Sequence, residues 1–186
     1  MKTKTINCLL FSELNAEQKE KVIENYRDIN IDCDWYSFTL DDWKEKLERQ
    51  GFMSPEIYFS GFYSQGDGAS FTAEIDIPKF LKGRRSATKY AKQIENYHRG
   101  ILTAKITQGG HYSHEYTMAL DYYDQDDALS GNLEDFIIEE AREQARKIYK
   151  DLRAEYEGLM TDEAISETLE VNEYYFNPET LKIETV

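Results

Sequence analysis

Hydrophobic positions along this chain switch between two periods, and each switch predicts a change of element. Near the start, Leu14-Asn15-Ala16-Glu17-Gln18 precedes Val22, Ile23 and Tyr26. Asn15 can cap a helix there, and Gln18 stands at the reciprocal capping-box position. That helix is expected to end near Asp28. A second helix is predicted from about Trp35 to Gln50, because Tyr36, Leu40, Trp43 and Leu47 share one helical face, and Gly51 is its natural stop. From Glu56 the pattern alternates. Ile57, Phe59 and Tyr63 point one way, Gly66-Asp67-Gly68 supplies the positive-φ positions of a reversal, and Phe71, Ala73, Ile75 and Ile77 line the return strand until Pro78 closes it.

A lysine- and arginine-rich segment follows, with a helix predicted over Ser86 to Tyr97. The second hairpin alternates from Gly100 to Thr107, turns at Gln108-Gly109-Gly110, and returns over His111 to Asp124. On that return strand Tyr112, His114, Tyr116, Met118, Leu120 and Tyr122 share the face expected to be buried, with His114 as a hydrogen-bonded core histidine. Gly131-Asn132 opens a long helix whose apolar stripe is Leu133, Phe136, Ile137, Ala141, Ala145, Ile148, Leu152 and Tyr156, ending at Gly158. Thr161 caps a shorter helix to about Val171, and a last small hairpin turns at Asn177-Pro178. Two hairpins flanked by helices predict one α+β domain over residues 1–186, an antiparallel sheet with helices on one face and a small C-terminal hairpin.

Composition narrows the class. With 40% hydrophobic and 13% aromatic residues, the 186-residue chain can bury a core, which argues against disorder. No stretch reaches the roughly 20 apolar residues of a membrane span, and the apolar run at Cys8 to Phe11 is too short for a signal peptide, so a cytosolic protein is expected. Cys8 and Cys33 have no CxxC spacing, which indicates neither a disulfide framework nor a zinc site. Thirty-six acids against 22 basic residues leave a net charge of −14, which disfavours direct nucleic-acid binding and anionic lipid and suits a basic partner.

Candidate chemistry is sparse. Gly66-Asp67-Gly68 lacks the third glycine of a dinucleotide loop, and a strand follows it. Asp28-Ile29-Asn30-Ile31-Asp32 imitates the start of a calcium loop, but Cys33 stands where the loop needs glycine and Thr39 where it needs a bidentate glutamate. His111 and His114 face opposite sides of a strand and cannot share an ion there without a bulge. No cofactor or metal is expected. No nucleophile motif or phosphate loop occurs, so catalysis has no support from motifs. Charge layout says more. Eight basic residues and one acid, Glu95, lie between Lys79 and Lys105, whereas nine acids face Arg142 alone from Asp121 to Glu143. Such segregation is either a pair of solvated faces or a partner site. In the second reading Asp121, Tyr122, Tyr123, Asp124, Asp126 and Asp127 would occupy a basic, nucleic-acid-binding groove on another protein.

Four stretches together carry a resemblance: YRDINIDCDW at residues 26–35, IYFSGFYSQGDGASF at 57–71, GHYSHEYTM at 110–118, and LMTDEAI at 159–165 with NEYYF at 172–176. The set resembles a family of small proteins of tailed phages, prophages and other mobile elements, often labelled antitoxin-like. The resemblance implies expression in a bacterial host cytosol and brings no catalytic residues with it. Within these stretches Tyr63, Gln65, Asp67, Ser70, His111 and His114 are candidates for a shared site at the hairpin tips, while for Asp67 and Ser70 the favoured reading is that they satisfy turn backbone. The leading expectation is a non-enzymatic inhibitor of a host defence system, an anti-CRISPR or antirestriction protein, binding a defence protein or nucleic-acid-binding effector complex. An antitoxin for a cognate toxin is one alternative. An enzyme or small-ligand binder at the hairpin tips is the other.

Overall fold

A computed structural model describes residues 7–82, 84, 87–110, 112–125 and 131–184. In chain order the elements are β1 (Leu9–Leu10), α1 (Ala16–Asn25), α2 (Ser37–Arg49), β2 (Phe52–Phe59), β3 (Ala69–Ile75), α3 (Ile77–Leu81), α4 (Ala91–His98), β4 (Leu102–Gln108), β5 (Met118–Asp124), α5 (Gly131–Leu159), α6 (Asp162–Val171), β6 (Tyr175–Phe176) and β7 (Ile183–Glu184). Short 3-10 turns occur at Phe11–Glu13, Ala87–Tyr90 and Glu115–Thr117. The protein is α+β. Its main sheet is antiparallel in the order β2-β3-β4-β5, and a small antiparallel sheet runs β1-β6-β7. The chain divides into two compact units, Met1–Trp35 with Ala154–Val186, and Tyr36–Arg153.

In the first unit, local chemistry starts each helix where the sequence predicts. Asn15 Oδ1 accepts from the Gln18 amide at 3.0 Å while Gln18 Oε1 accepts from the Asn15 amide at 3.1 Å, and Thr161 Oγ1 accepts from the Ala164 amide at 3.2 Å. Phe11, Leu14, Val22, Ile23, Ile165, Leu169, Phe176 and Leu181 form its core. The Asn177 carboxamide oxygen accepts from the Glu179 and Thr180 amides, which builds the last turn where it is expected. Asn30, from the false calcium pattern, donates to Leu159 O at 2.9 Å and accepts from the Thr168 hydroxyl at 2.7 Å, so it holds the fold together.

The second unit contains the main sheet. Phe71, Ala73 and Ile75 of β3, Leu102, Ala104 and Ile106 of β4, and Met118 of β5 are buried, as is the α5 stripe Leu133, Ile137, Ala141, Ala145, Ile148 and Leu152. A run of aromatic contacts joins the layers: Phe71 to Phe52 at 5.3 Å, Phe52 to Phe80 at 5.5 Å, and Phe80 to Phe136 of α5 at 5.5 Å between ring centroids. Phe80 is seated by Gly51, where φ is +96° and an added Cβ would lie 2.5 Å from Phe80 N. Arg84 closes the arrangement. It donates to Gln50 O at 2.8 Å and Phe80 O at 2.9 Å, pairs with Glu140 at 3.3 Å, and lies 4.6 Å over the Phe80 ring.

The structure corrects the pattern in several places. Ile77 and Pro78 do not end a strand but begin α3, because Asp76 Oδ1 accepts from the Lys79 amide at 3.0 Å and proline is tolerated in a first helical turn. The helix expected over Ser86 to Tyr97 is a 3-10 turn followed by α4, with Ser86 outside the described residues. β2 is interrupted between Met53 and Glu56, where Pro55 has no amide to donate and Ser54 takes φ +48°. In the first hairpin turn Gly66 has φ +93°, while Gly68 does not adopt a positive φ.

The return strand of the second hairpin begins only at Met118. Before it, the Tyr116 amide donates to His114 Nδ1 at 3.3 Å, and both the Thr117 amide and hydroxyl donate to His114 O. These local bonds replace the ladder and break the alternation. Tyr112 and Tyr116 are therefore 62% and 70% exposed, against the expectation, whereas Met118 is 2% exposed and Leu120 and Tyr122 are half-buried as expected. The core histidine expected at position 114 is instead a half-buried turn cap.

Two substitutions test this core. Gly51→Ala should cost about 1–3 kcal/mol, since it adds both backbone strain and a clash with backbone that cannot yield. Met118→Ala should cost about 2–5 kcal/mol, as for other buried large-to-small changes. Urea unfolding measures both, and a change below about 0.5 kcal/mol in either, the scale of an ordinary surface substitution, would contradict the packing described.

Candidate functional site

Strand alternation places one set of side chains in the core and aims the other set outward. On the outward side are Glu74 of β3, Thr103 and Lys105 of β4, and Asp121 and Tyr123 of β5. The register lines them up: Glu74 is opposite Lys105, Lys105 opposite Asp121, and Thr103 opposite Tyr123. Lys105 Nζ lies 3.2 Å from Asp121 Oδ2, in a pair more than half exposed on both sides. Together with Asp76 before α3, Tyr97 near the end of α4 and Met53 of β2, these outward residues line a groove of about 510 Å³. Tyr122 contributes to the same lining.

Electrostatics favour a cation in this groove. Three carboxylates (Glu74, Asp76, Asp121) face a single lining ammonium, Lys105, and that ammonium is already paired. Lys79 stands nearby with Nζ 3.7 Å from Met53 Sδ. Asp76 also caps α3, so the Lys79 amide helps to set its orientation. Burial raises the Tyr97 hydroxyl above an ordinary phenol, and the negative charges of Asp76 and Glu74 raise it further. Tyr97 therefore remains a neutral hydroxyl at physiological pH and adds no further negative charge.

The acidic and aromatic residues singled out from the sequence divide accordingly. Asp121, Tyr122 and Tyr123 line the groove, and Asp124 is half-buried at the end of β5. Asp126 and Asp127 lie outside the described residues. Glu74, Asp76, Tyr97 and Lys105 were not foreseen as partners of Asp121. Alternation places Glu74 outward, but its neighbour across the sheet is decided by the pairing of β3 with β4.

The hairpin-tip residues do other work. Asp67 Oδ2 accepts from the amides of Tyr63 at 2.9 Å and Ser64 at 2.6 Å, which ties the carboxylate into its own loop. Ser70 is completely buried on β3, and its hydroxyl has no hydrogen-bond partner. Tyr63 and Gln65 are exposed, with the Arg153 guanidinium 5.8 Å from the Tyr63 ring. His111 lies outside the described residues. The two tips do meet: a Cβ on Gly68 would lie 2.9 Å from Cδ2 of the His114 ring and 3.0 Å from the backbone oxygen of Ser113. His114 Nδ1 also stands 3.2 Å from Glu115 Oε2.

Basic and acidic segments are not kept apart. Arg84 meets Glu140 and Lys105 meets Asp121, so charges that form separate blocks in sequence are neighbours in the fold. Arg85, next to Arg84 in the basic segment, is outside the described residues. Among the described residues no group of three His, Cys, Asp or Glu side chains is placed to hold a metal ion, and no helix is long and apolar enough to cross a membrane.

Fold and groove define an α+β protein with an acid-rich, tyrosine-lined cleft on the open side of an antiparallel sheet. The chain belongs to the family described as Domain of unknown function (DUF8835), whose model matches residues 35–162. Every groove residue lies within that match. No curated protein and no solved structure matches the chain.

The groove has a spectroscopic signature. The Tyr97 hydroxyl should titrate above free tyrosine, and removing charge in Glu74→Gln with Asp76→Asn should lower its midpoint while burial keeps it from falling fully to that of free tyrosine. NMR titration of ring-labelled tyrosine reads this directly, and a midpoint unmoved by the double change would place the carboxylates too far away to matter.

Proposed function

We propose that the protein is a non-enzymatic inhibitor of a bacterial defence system, of the anti-CRISPR or antirestriction kind, acting in the host cytosol by binding a basic surface of its target. The groove carries this reading: β3, β5 and the approach to α3 place three carboxylates along the lining of one open cleft, with Tyr97 and Tyr123 beside them. Lysines and arginines that ordinarily hold nucleic acid are the chemistry such a cleft complements. A net charge of −14 steers it toward a basic target and away from nucleic acid itself. The likeness of four sequence stretches to proteins of mobile elements supports a counter-defence setting. At the hairpin tips Asp67 Oδ2 is taken up by the amides of its own loop, which weighs against the alternative of an enzyme or small-ligand site there.

Affinity capture from a host lysate, followed by mass spectrometry, tests the proposal. A nuclease or RNA-guided effector should be recovered, and its association rate should fall steeply as the screening length shortens from about 10 Å at 0.1 M salt to about 3 Å at 1 M. Glu74→Gln with Asp121→Asn should slow association and leave the melting temperature nearly unchanged, because an exposed ion pair contributes only about 0–1 kcal/mol. Recovery of a small toxin would replace the inhibitor reading with an antitoxin. Unaltered capture by the double variant would remove the groove from the interface.

A further inference from the structure

We propose that the groove on the open side of the sheet receives the guanidinium group of an arginine side chain from the partner, held by Glu74 and Asp76 and stacked on the rings of Tyr97 and Tyr123. This deepens the reading just given and rests on it, naming which basic group is recognised. Its size, about 510 Å³, lies within the range of clefts that take a ligand. Lys105 lies between Glu74 and Asp121 in the register and is engaged by Asp121, so an incoming cation meets Glu74 and Asp76.

Two features of the lining select guanidinium over ammonium. Carboxylates accept its planar fork of donors in bidentate fashion, and aromatic faces accept its plane, so one group satisfies both kinds of wall. An ammonium is more strongly hydrated, lacks a plane to stack, and would use the acids but gain less from the rings. The Tyr97 hydroxyl stays neutral beside the acids and can itself take part in hydrogen bonding. A metal ion fits less well, because among the described residues no three ligating side chains converge. An anion would face three carboxylates.

Fluorescence anisotropy on the full chain tests the inference with three labelled, glycine-spaced peptides carrying two arginines, two lysines or two citrullines. The arginine peptide should bind about tenfold more tightly than the lysine peptide at 0.1 M salt, a difference of about 1.4 kcal/mol, and the neutral citrulline peptide should not bind. Tyr123→Ser, at a ring 59% exposed, should bring the arginine peptide down to the lysine level without altering the melting temperature. Glu74→Gln should weaken both charged peptides. Equal affinity for arginine and lysine, or indifference to Tyr123→Ser, would overturn the inference while leaving a general acidic docking surface in place. Spermidine competing as strongly as the arginine peptide would overturn it in favour of a small polycation site. If neither charged peptide binds, the groove is not a cation site, and the inhibitor proposal then stands or falls on the captured partner alone.

Discussion

The second unit depends on the approach of Phe80 to Gly51. Only a residue without a side chain can sit there, since a Cβ would lie 2.5 Å from Phe80 N and 2.8 Å from its Cα. That approach puts the Phe80 ring between Phe52 of the sheet and Phe136 of α5. The Asp76 amide donates to Gly51 O at 3.0 Å, which anchors the start of α3 at the same point. Arg84 then covers the junction with hydrogen bonds to Gln50 and Phe80 and an ion pair to Glu140. A half-buried arginine bonded in this way is costly to disturb, because removing its partners would leave a charge without compensation.

The groove follows from this arrangement. Once Phe71, Ala73, Ile75, Leu102, Ala104 and Ile106 are committed to the core, the intervening residues must face away from it. Those residues are charged or hydroxylated, so the open side becomes an array of polar groups held by strands rather than loops. Rigid strands keep Glu74, Lys105 and Asp121 in a row, and the start of α3 and the end of α4 bring Asp76 and Tyr97 to its end. Asp76 links the two functions directly, capping α3 with one oxygen while its charge bears on Tyr97.

The hairpin tips show the opposite outcome. Their polar residues attract attention in the sequence, yet Asp67 bonds its own loop and His114 caps a 3-10 turn. Gly68 is required there because the second hairpin's backbone passes against it. Glycine at a turn can therefore report close approach as well as an unusual φ.

Sequence alone determined the elements governed by neighbouring residues. The capping box at Asn15 and Gln18, the Thr161 cap, the α5 stripe and the Asn177 turn all depend on groups within a few positions of one another, so their spacing is sufficient to reveal them. The acidic and aromatic character of β5 was equally visible. What tertiary structure decided was which distant groups meet. Glu74 and Asp121 stand 47 positions apart, and no local rule specifies that Lys105 lies between them; strand order and register do. The exposure of Tyr112 and Tyr116 was likewise hidden, because a three-residue 3-10 turn interrupts a pattern that continues unbroken in the sequence. Local bonds are written in local spacing, whereas the groove exists only after long-range pairing has chosen its neighbours.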